Sequence, residues 1–229
     1  MEPTVEDDLT GRTVEQYAIV ALVAVGGQGS VYRGRDERLH RDVAIKVLRG
    51  SGGDAPPRHR LIREARVLSR LNHPHVAGIY DFVTHGKRDY IVMEFVPGAT
   101  LRDILAGGPL PACEVVRLGA QIARGLTAAH AANIVHRDIK PSNLKVTSSG
   151  ELKILDFGVA RLMPAGAGVD NATTTPSQLT VAGTIPYMAP EQLRGDPTDA
   201  RTDIFSTGVV LYEMATGVAA FPQRNLACL

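Results

Sequence analysis

An α+β protein with two unequal lobes is predicted by a change of sequence pattern at about residue 97. Before that point, short runs rich in β-branched residues are separated by turn residues, a pattern typical of strands. After it, apolar residues recur every three or four positions, a pattern typical of amphipathic helices. We therefore expect a polar lead-in over residues 1–16, followed by one domain with a β-rich lobe over about 17–96 and a mainly helical lobe over about 97–229.

The β-rich lobe is predicted to contain several strands and one inserted helix. The strand signals lie in the runs Tyr17–Val25, Ser30–Asp36, Asp42–Leu48, Val76–Phe82 and Tyr90–Phe95. The helix is predicted by apolar residues at helical spacing, namely Leu61, Ala65, Leu68 and Leu71. Residues 50–57 are rich in Gly, Ser and Pro and predict a loop before that helix.

The second lobe is predicted to be mainly helical. One amphipathic helix is indicated by a stripe of apolar residues, Val115, Leu118, Ile122, Leu126 and Ala129. The segment Asp203–Gly217 is apolar nearly all round, as expected of a buried helix. Residues 164–183 are rich in Gly, Ala, Thr and Ser, and predict a long loop between the two helices.

Composition and charge exclude several classes of protein. The 229 residues are 44% hydrophobic and 21% charged, a globular balance, and the formal net charge of +1 argues against nucleic-acid binding. Two distant cysteines, Cys113 and Cys228, lack zinc-site spacing and fit a reducing compartment. The acidic N-terminus is unlike a signal peptide, and Glu213 interrupts the longest apolar stretch. We therefore expect no membrane segment and a cytoplasmic location, leaving open an anchor elsewhere in a longer parent protein.

The segment 134–144, IVHRDIKPSNL, concentrates side chains suited to phosphoryl transfer. Asp138 can accept a hydrogen bond from a hydroxyl, and Lys140 can balance charge on a phosphate. Asn143 can ligate Mg²⁺ through its amide oxygen. Asp156, at the end of the strand-like run LKIL, can supply a second oxygen ligand of the kind that Mg²⁺ prefers. The four side chains together predict a site for phosphate chemistry.

The β-rich lobe offers groups that can hold the phosphates of a nucleotide. Gly26, Gly27 and Gly29 lie between two predicted strands, where backbone N–H groups can approach phosphates. Lys46 ends the strand-like run VAIK and can reach a phosphate, and Glu64 can hold that lysine in place. Taken singly, these features also fit a tight turn, a solvated lysine at a strand end and a surface glutamate.

In this order, the segments resemble the signature set of the eukaryotic-like (Hanks-type) protein kinases, particularly their bacterial serine/threonine members. The resemblance extends from about Tyr17 to the end of the chain. It implies a two-lobed kinase fold and transfer of the γ-phosphoryl group of ATP to protein Ser/Thr hydroxyls, with Mg²⁺ or alternatively Mn²⁺ as the metal. The implied partners are protein substrates and a second copy of the chain, for trans-autophosphorylation.

The resemblance also implies roles for individual residues. The implied catalytic residues are Asp138 as the base, Lys140, Lys46 and Glu64, and the implied metal ligands are Asn143 and Asp156. The implied ATP contacts are Val25, Gly26, Gly27, Gly29, Val31, Ala44, Lys46, Met93, Glu94, Val96 and Lys145. Among these, Met93 is the implied gatekeeper and residues 94–96 form the adenine hinge. A hydrophobic spine is implied for Leu68, His136 and Phe157.

Three features resemble protein kinases of the serine/threonine type. Lys140 is typical of that type, and residues 183–191 resemble the substrate-docking loop that small-molecule kinases of the same fold generally lack. Arg137, directly before Asp138, resembles kinases that are activated by loop phosphorylation. The predicted phosphosite is Thr180, with Thr173, Thr174, Thr175 and Ser177 as lesser candidates. A Thr-rich loop without a regulatory site is the alternative.

The chain departs from the family pattern at several positions. Ala24 replaces the first glycine of the glycine-rich loop, Lys145 stands where an apolar residue often lies beneath adenine, and Phe205 stands where Trp is commoner. The helical lobe lacks its last helices. We therefore expect Glu191, which in the family pairs with an arginine from one of them, to be partly buried and unpaired.

Two other functions remain as alternatives to an active protein kinase. The first is a truncated, non-catalytic nucleotide-binding or interaction module, which the early end of the chain favours. The second is a small-molecule phosphotransferase, which the segment 183–191 disfavours. The active kinase is preferred because the whole implied catalytic set is present, namely Lys46, Glu64, Asp138, Asn143 and Asp156.

Overall fold

The computed structural model describes residues 8–26, 29–48, 62, 65–86, 88–157 and 184–221. The strands of this part are β1 (Thr13–Val14), β2 (Tyr17–Gly26), β3 (Gly29–Asp36), β4 (Arg41–Leu48), β5 (Ile79–His85), β6 (Arg88–Glu94), β7 (Ala99–Thr100), β8 (Leu144–Val146) and β9 (Leu152–Ile154). The helices are α1 (Leu101–Leu105), α2 (Ala112–Ala131), α3 (Pro190–Arg194) and α4 (Ala200–Thr216), with 3₁₀ turns at Pro141–Asn143 and Ile185–Tyr187. Residues 65–68 are helical as well.

The β-rich lobe is one antiparallel sheet with the strand order β1-β2-β3-β4-β6-β5. Alternate side chains of its strands pack into an apolar core, because successive residues of a strand point to opposite faces. Val43 and Ile45, two residues apart on β4, are both fully buried there. The sheet begins earlier than the sequence pattern indicates, since Val14 of β1 pairs with Tyr17. A two-residue strand is too short to show a periodic pattern.

The helical lobe is organised by α2 and α4. The predicted stripe on α2 is buried and includes Leu118, Ile122, Leu126 and Ala129. Asp199 caps the N-terminus of α4 by accepting a hydrogen bond from the Arg201 N–H, and Gly217, with φ 72°, ends the helix. Among the described residues, no helix is both long and apolar enough to cross a membrane.

The expectation that α4 is apolar nearly all round was wrong in its detail. Ile204 and Tyr212 on this helix are 62% and 48% exposed. The buried side instead includes the polar residues Thr202, Asp203, Ser206 and Thr207. These polar groups are buried because they hydrogen-bond to other segments, as the site geometry below shows.

The lobes meet where β6 leads into β7. Gly98 has φ +122°, and a Cβ atom at this position would lie 2.1 Å from the Val146 carbonyl oxygen, so only glycine fits. The close approach places the connecting segment against β8 in the small sheet β7-β8-β9. One hydrophobic core joins the lobes, with Met93 from β6 packed together with Leu144 from β8 and Ile154 from β9. The predicted α+β, two-lobed fold is confirmed.

Candidate active site

Asp138 lies in the loop between α2 and β8, and its two carboxylate oxygens have different surroundings. Oδ2 accepts a hydrogen bond from Asn143 Nδ2 at 3.0 Å and lies 2.9 Å from Lys140 Nζ. Oδ1 is buried and has no hydrogen-bond partner among the described residues. Because buried carboxylate oxygens normally have partners, Oδ1 is available to a hydroxyl group that enters the site.

This loop is held in place by a carboxylate from α4. Asp203 is fully buried, and its oxygens accept the backbone N–H groups of His136 and Arg137, each at 2.8 Å. Oδ2 of Asp203 also lies 2.7 Å from Nε2 of His130 on α2. Arg137 adopts φ 68°, a strained value for a residue with a side chain, which these bonds help to maintain. Asp203 therefore fixes the backbone directly before Asp138.

His136 is buried and fully hydrogen-bonded. Its Nδ1 accepts the Asp138 backbone N–H at 3.1 Å, so Nε2 carries the proton and donates to the Leu155 carbonyl at 2.8 Å. Its ring packs edge-to-face on Phe157, with centroids 4.7 Å apart. Phe157 and Leu68 belong to the same buried apolar cluster. The implied spine residues thus lie together, and His136 has no free nitrogen for acid–base chemistry.

The two implied metal ligands lie on adjacent segments. The Leu155 N–H donates to the Asn143 carbonyl at 2.8 Å, which ties the residue before Asp156 to the end of the catalytic loop. The side-chain amide of Asn143 donates to the Asp138 carbonyl at 2.8 Å and to its carboxylate, so the amide oxygen is left as an acceptor. An amide oxygen and a carboxylate suit Mg²⁺, which takes its remaining ligands from substrate phosphates and water. The residues present therefore fit a magnesium ion.

Lys46 crosses from the β-rich lobe to this region. It is only 2% exposed, and its Nζ lies 3.0 Å from Oδ2 of Asp156. The implied partner Glu64 lies outside the described residues, so that pairing stays a prediction. The contact with Asp156 was not anticipated, because nothing in the sequence links residues 110 positions apart. It places the lysine ammonium next to an implied metal ligand, where phosphates would also be held.

The implied ATP contacts form the facing strands of the β-rich lobe. Val31 of β3 is paired with Lys46 of β4, and Ala44 of β4 is paired with Met93 of β6. Val25 is 60% exposed at the end of β2. Gly29 has φ +128°, and a Cβ there would lie 2.3 Å from the Val47 carbonyl oxygen, so the turn requires glycine. Gly26 ends β2, and Gly27 lies outside the described residues.

The segment 94–96 connects the lobes through an ion pair. Lys153 Nζ lies 2.8 Å from Oε1 and 2.9 Å from Oε2 of Glu94. Glu94 also accepts the Gly78 N–H at 3.3 Å, and Val96 is buried. The side chain of Glu94 is thus engaged within the protein, which leaves the backbone of the segment to contact a base. Sequence reasoning missed Lys153, which is one lysine among many in the chain.

Lys145 lies on β8 and is half-buried. Burial lowers the pKa of its ammonium, and the nearby Asp103 carboxylate partly opposes that shift. Its Nζ lies 5.6 Å from the centroid of the Phe95 ring, so the charge reaches outward under the hinge. The stem of Lys145 remains available as an apolar surface, as expected from its place in the pattern.

The implied substrate-docking segment packs against the catalytic loop. Thr184 accepts a hydrogen bond from Lys140 Nζ at 2.8 Å, and Gln192 donates to the Arg137 carbonyl at 2.8 Å. Lys140 therefore bridges Asp138 and Thr184. Gly158, Gly183 and the candidate phosphosites Thr180, Thr173, Thr174, Thr175 and Ser177 lie outside the described residues.

The expectation that Glu191 is unpaired was wrong with respect to hydrogen bonding. Glu191 is half-buried, but the Thr202 hydroxyl of α4 donates to its Oε1 at 2.6 Å. Thr202 is itself fully buried. A neutral hydroxyl from the same lobe therefore satisfies one oxygen of the carboxylate at the position where the family uses an arginine.

Comparison with known proteins agrees with this geometry. The family model for the protein kinase domain matches residues 17–227. The chain belongs to the protein kinase family. It is 40% identical over 213 residues to the serine/threonine-protein kinase PknB of Mycobacterium leprae (strain TN), covering 90% of this chain and 33% of that protein. The predicted family is confirmed.

Further relatives have the same character. PknB of Mycolicibacterium smegmatis (strain ATCC 700084 / mc(2)155) is 38% identical over 213 residues, covering 90% of this chain and 33% of that protein. The serine/threonine-protein kinase PknL of Mycobacterium tuberculosis (strain CDC 1551 / Oshkosh) is 39% identical over 208 residues, covering 90% and 50%. This kinase domain therefore spans a third to a half of the length of these curated relatives.

Proposed function

We propose that this domain is a serine/threonine protein kinase that transfers the γ-phosphoryl group of Mg-ATP to Ser and Thr hydroxyls of proteins. The observation that carries the proposal is the state of Asp138. One oxygen is held by Asn143 and Lys140, and the other is buried without a partner among the described residues. The kinship to proteins named serine/threonine kinases supports the same substrate class.

In this proposal the protein contributes position and charge, because phosphoryl transfer needs little covalent help. The substrate oxygen bonds to the γ-phosphorus as the bond to the β–γ bridging oxygen breaks and ADP departs. The hydroxyl proton passes to Oδ1 of Asp138. Lys140, held between Asp138 and Thr184, balances negative charge on the transferring group.

The second half of the site holds the nucleotide. Lys46 would contact its phosphates, and Glu64 is proposed to hold this lysine. Asn143 and Asp156 would hold Mg²⁺, which neutralises the phosphate charge that develops during transfer. The base would lie between the β-rich lobe and Lys145, beside the backbone of residues 94–96. Two protein oxygens suffice because the phosphates themselves supply further ligands.

Regulation and location form a finer part of the proposal. We expect a second copy of the chain to be a substrate, with Thr180 as the main site, since Arg137 beside Asp138 can bind a phosphothreonine. Use of ATP and the absence of zinc-type cysteine spacing support a cytoplasmic location.

Substrate class is tested with three peptides that differ only in the acceptor, which is Ser, Thr or Tyr, and with a simple alcohol. Using [γ-³²P]ATP and Mg²⁺, we expect label on the Ser and Thr peptides only. Label on the alcohol alone would indicate a small-molecule phosphotransferase. No label on any acceptor, from a folded protein that binds Mg-ATP, would indicate the non-catalytic module.

A further inference from the structure

A cavity of about 310 Å³ lies on the β-rich lobe, and none of its lining residues belongs to the candidate active site. It is lined by Leu9, Arg12, Thr13, Val14, His85, Arg88 and Tyr90. One wall comes from β1 and the residues before it, and the other from the β5–β6 hairpin. The kinase mechanism described above leaves this cavity without a role.

The first wall is an ordered turn. The Arg12 N–H donates to the Leu9 carbonyl at 3.0 Å, and the Arg12 carbonyl accepts the Ile19 N–H at 2.8 Å. The Leu9 N–H donates to the Tyr32 hydroxyl at 3.4 Å, and the Gly11 N–H donates to the Ile19 carbonyl at 2.9 Å. Arg12 is thus carried on a backbone segment that is fixed to the sheet before any ligand binds.

The second wall contains a buried hydroxyl group. Tyr90 is 3% exposed, and within the described ranges its hydroxyl makes no hydrogen bond. Burial raises the pKa of this phenol, whereas the guanidinium groups of Arg88 and Arg12 act in the opposite direction. Both cations therefore lie close enough to influence the hydroxyl electrostatically. A donor buried to this extent normally has a partner, so the hydroxyl indicates the place of a missing acceptor.

Charge around the cavity has one sign. Arg12, Arg88 and His85 supply basic groups, and none of the described residues that line the cavity carries a carboxylate. Leu9 and Val14 are buried apolar residues beside them. The cavity therefore combines two guanidinium groups, an imidazole and a phenol with a small apolar surface. Guanidinium pairs of this kind match the geometry and charge of phosphate oxygens.

We propose that this cavity binds a phosphate monoester, with the phosphate oxygens at Arg12, Arg88 and the Tyr90 hydroxyl and the esterified group on Leu9 and Val14. A dianion is preferred to a carboxylate because two guanidinium groups face the same space. The proposal does not depend on the catalytic activity of the domain.

The test uses phenyl phosphate as the probe, with the complete 229-residue chain and isothermal titration calorimetry in the presence of saturating Mg-ADP. We expect saturable binding that Arg12→Gln weakens at least about tenfold and Tyr90→Phe weakens several-fold. The matched control is Arg38→Gln, since Arg38 is an exposed arginine of the same lobe that does not line the cavity. This control should leave the affinity unchanged.

Three results would overturn the proposal. These are no binding up to millimolar probe, equal loss of affinity in the Arg38→Gln control, and benzoate binding as tight as phenyl phosphate. Arg12→Gln alters an exposed side chain, and its circular dichroism melt should match that of the wild type. The result therefore holds even if Tyr90→Phe folds poorly.

The phosphate monoester has two sources, a small molecule or a phosphorylated protein segment. A phosphothreonine hexapeptide, titrated in the same way, distinguishes them. Tighter binding of the peptide than of phenyl phosphate assigns the site to a protein segment. Weaker binding of the peptide assigns it to a small phosphorylated compound.

Discussion

The two lobes bury their polar groups in different ways. In the helical lobe, Asp203 and His136 lie at 0% and 1% exposure within a hydrogen-bond network that fixes the catalytic loop. In the β-rich lobe the cluster around Val43 and Ile45 is apolar, and the ion pair Lys153–Glu94 beside it keeps side-chain exposures of 19% and 26%. The comparison indicates that catalytic geometry depends on a few buried polar contacts, whereas the nucleotide side tolerates the loss of single charges.

The largest expected effect is on catalysis. Asp138→Asn should slow phosphoryl transfer about 10²–10⁴-fold because the amide cannot take the hydroxyl proton at Oδ1. ATP affinity should change little, since Asp138 contacts Lys140 and Asn143 rather than the strands of the β-rich lobe. Steady-state kinetics and calorimetric ATP binding check both statements. A variant with unchanged turnover would remove Asp138 from the mechanism.

The next largest effect is on stability. Asp203→Asn should lower the free energy of unfolding by about 3–5 kcal/mol, because the amide cannot accept both backbone N–H groups and the His130 contact at once. Guanidinium denaturation measures the change. The matched control is Asp199→Asn at the N-cap of the same helix, where Asn caps equally well and the midpoint should not move. Equal effects in both variants would contradict the special role of Asp203.

A smaller effect is expected at the hinge. Lys153→Met should cost only about 0.5–1 kcal/mol of stability, because the pair with Glu94 is partly exposed and screened by solvent. Turnover should remain within a factor of a few, with any change appearing in KM for ATP. Denaturation and steady-state kinetics of Lys153→Met beside Glu94→Gln check this. A loss as large as that of Asp203→Asn would remove the contrast between the lobes.

The smallest effect depends on pH. Burial, with the Asp81 carboxylate that accepts the Tyr17 hydroxyl at 3.0 Å, raises the pKa of Tyr17 to about 12. The folded state therefore keeps this proton longer than the unfolded state, and the associated stability is present below about pH 10 and lost as pH rises toward 12. The stability advantage over Tyr17→Phe should fall by about 1 kcal/mol between pH 9 and 11. Denaturation at both pH values measures it, and a constant difference would contradict the assigned shift.

Sequence patterns predicted the features that are local. The HRDIKPSNL segment, the strand VAIK and the apolar stripe of α2 could be identified because their members lie within a few turns of one another. The contacts that orient them join distant residues, such as Lys46 with Asp156 and His136 with Asp203. No spacing rule links such positions, and Asp203 gave no local signal beyond lying in a helix. Sequence reasoning also assumed that Glu191 needs an arginine, whereas Thr202 one turn into α4 donates to it.

The central claim is an active serine/threonine kinase site built around Asp138. The most direct test incubates the purified chain with Mg-ATP and maps phosphosites by mass spectrometry, beside Asp138→Asn. We predict phosphate on Thr180 or a neighbouring Thr or Ser in the wild type and none in the variant. A folded, ATP-binding wild type without phosphate, or equal phosphate in the Asp138→Asn protein, would contradict the claim.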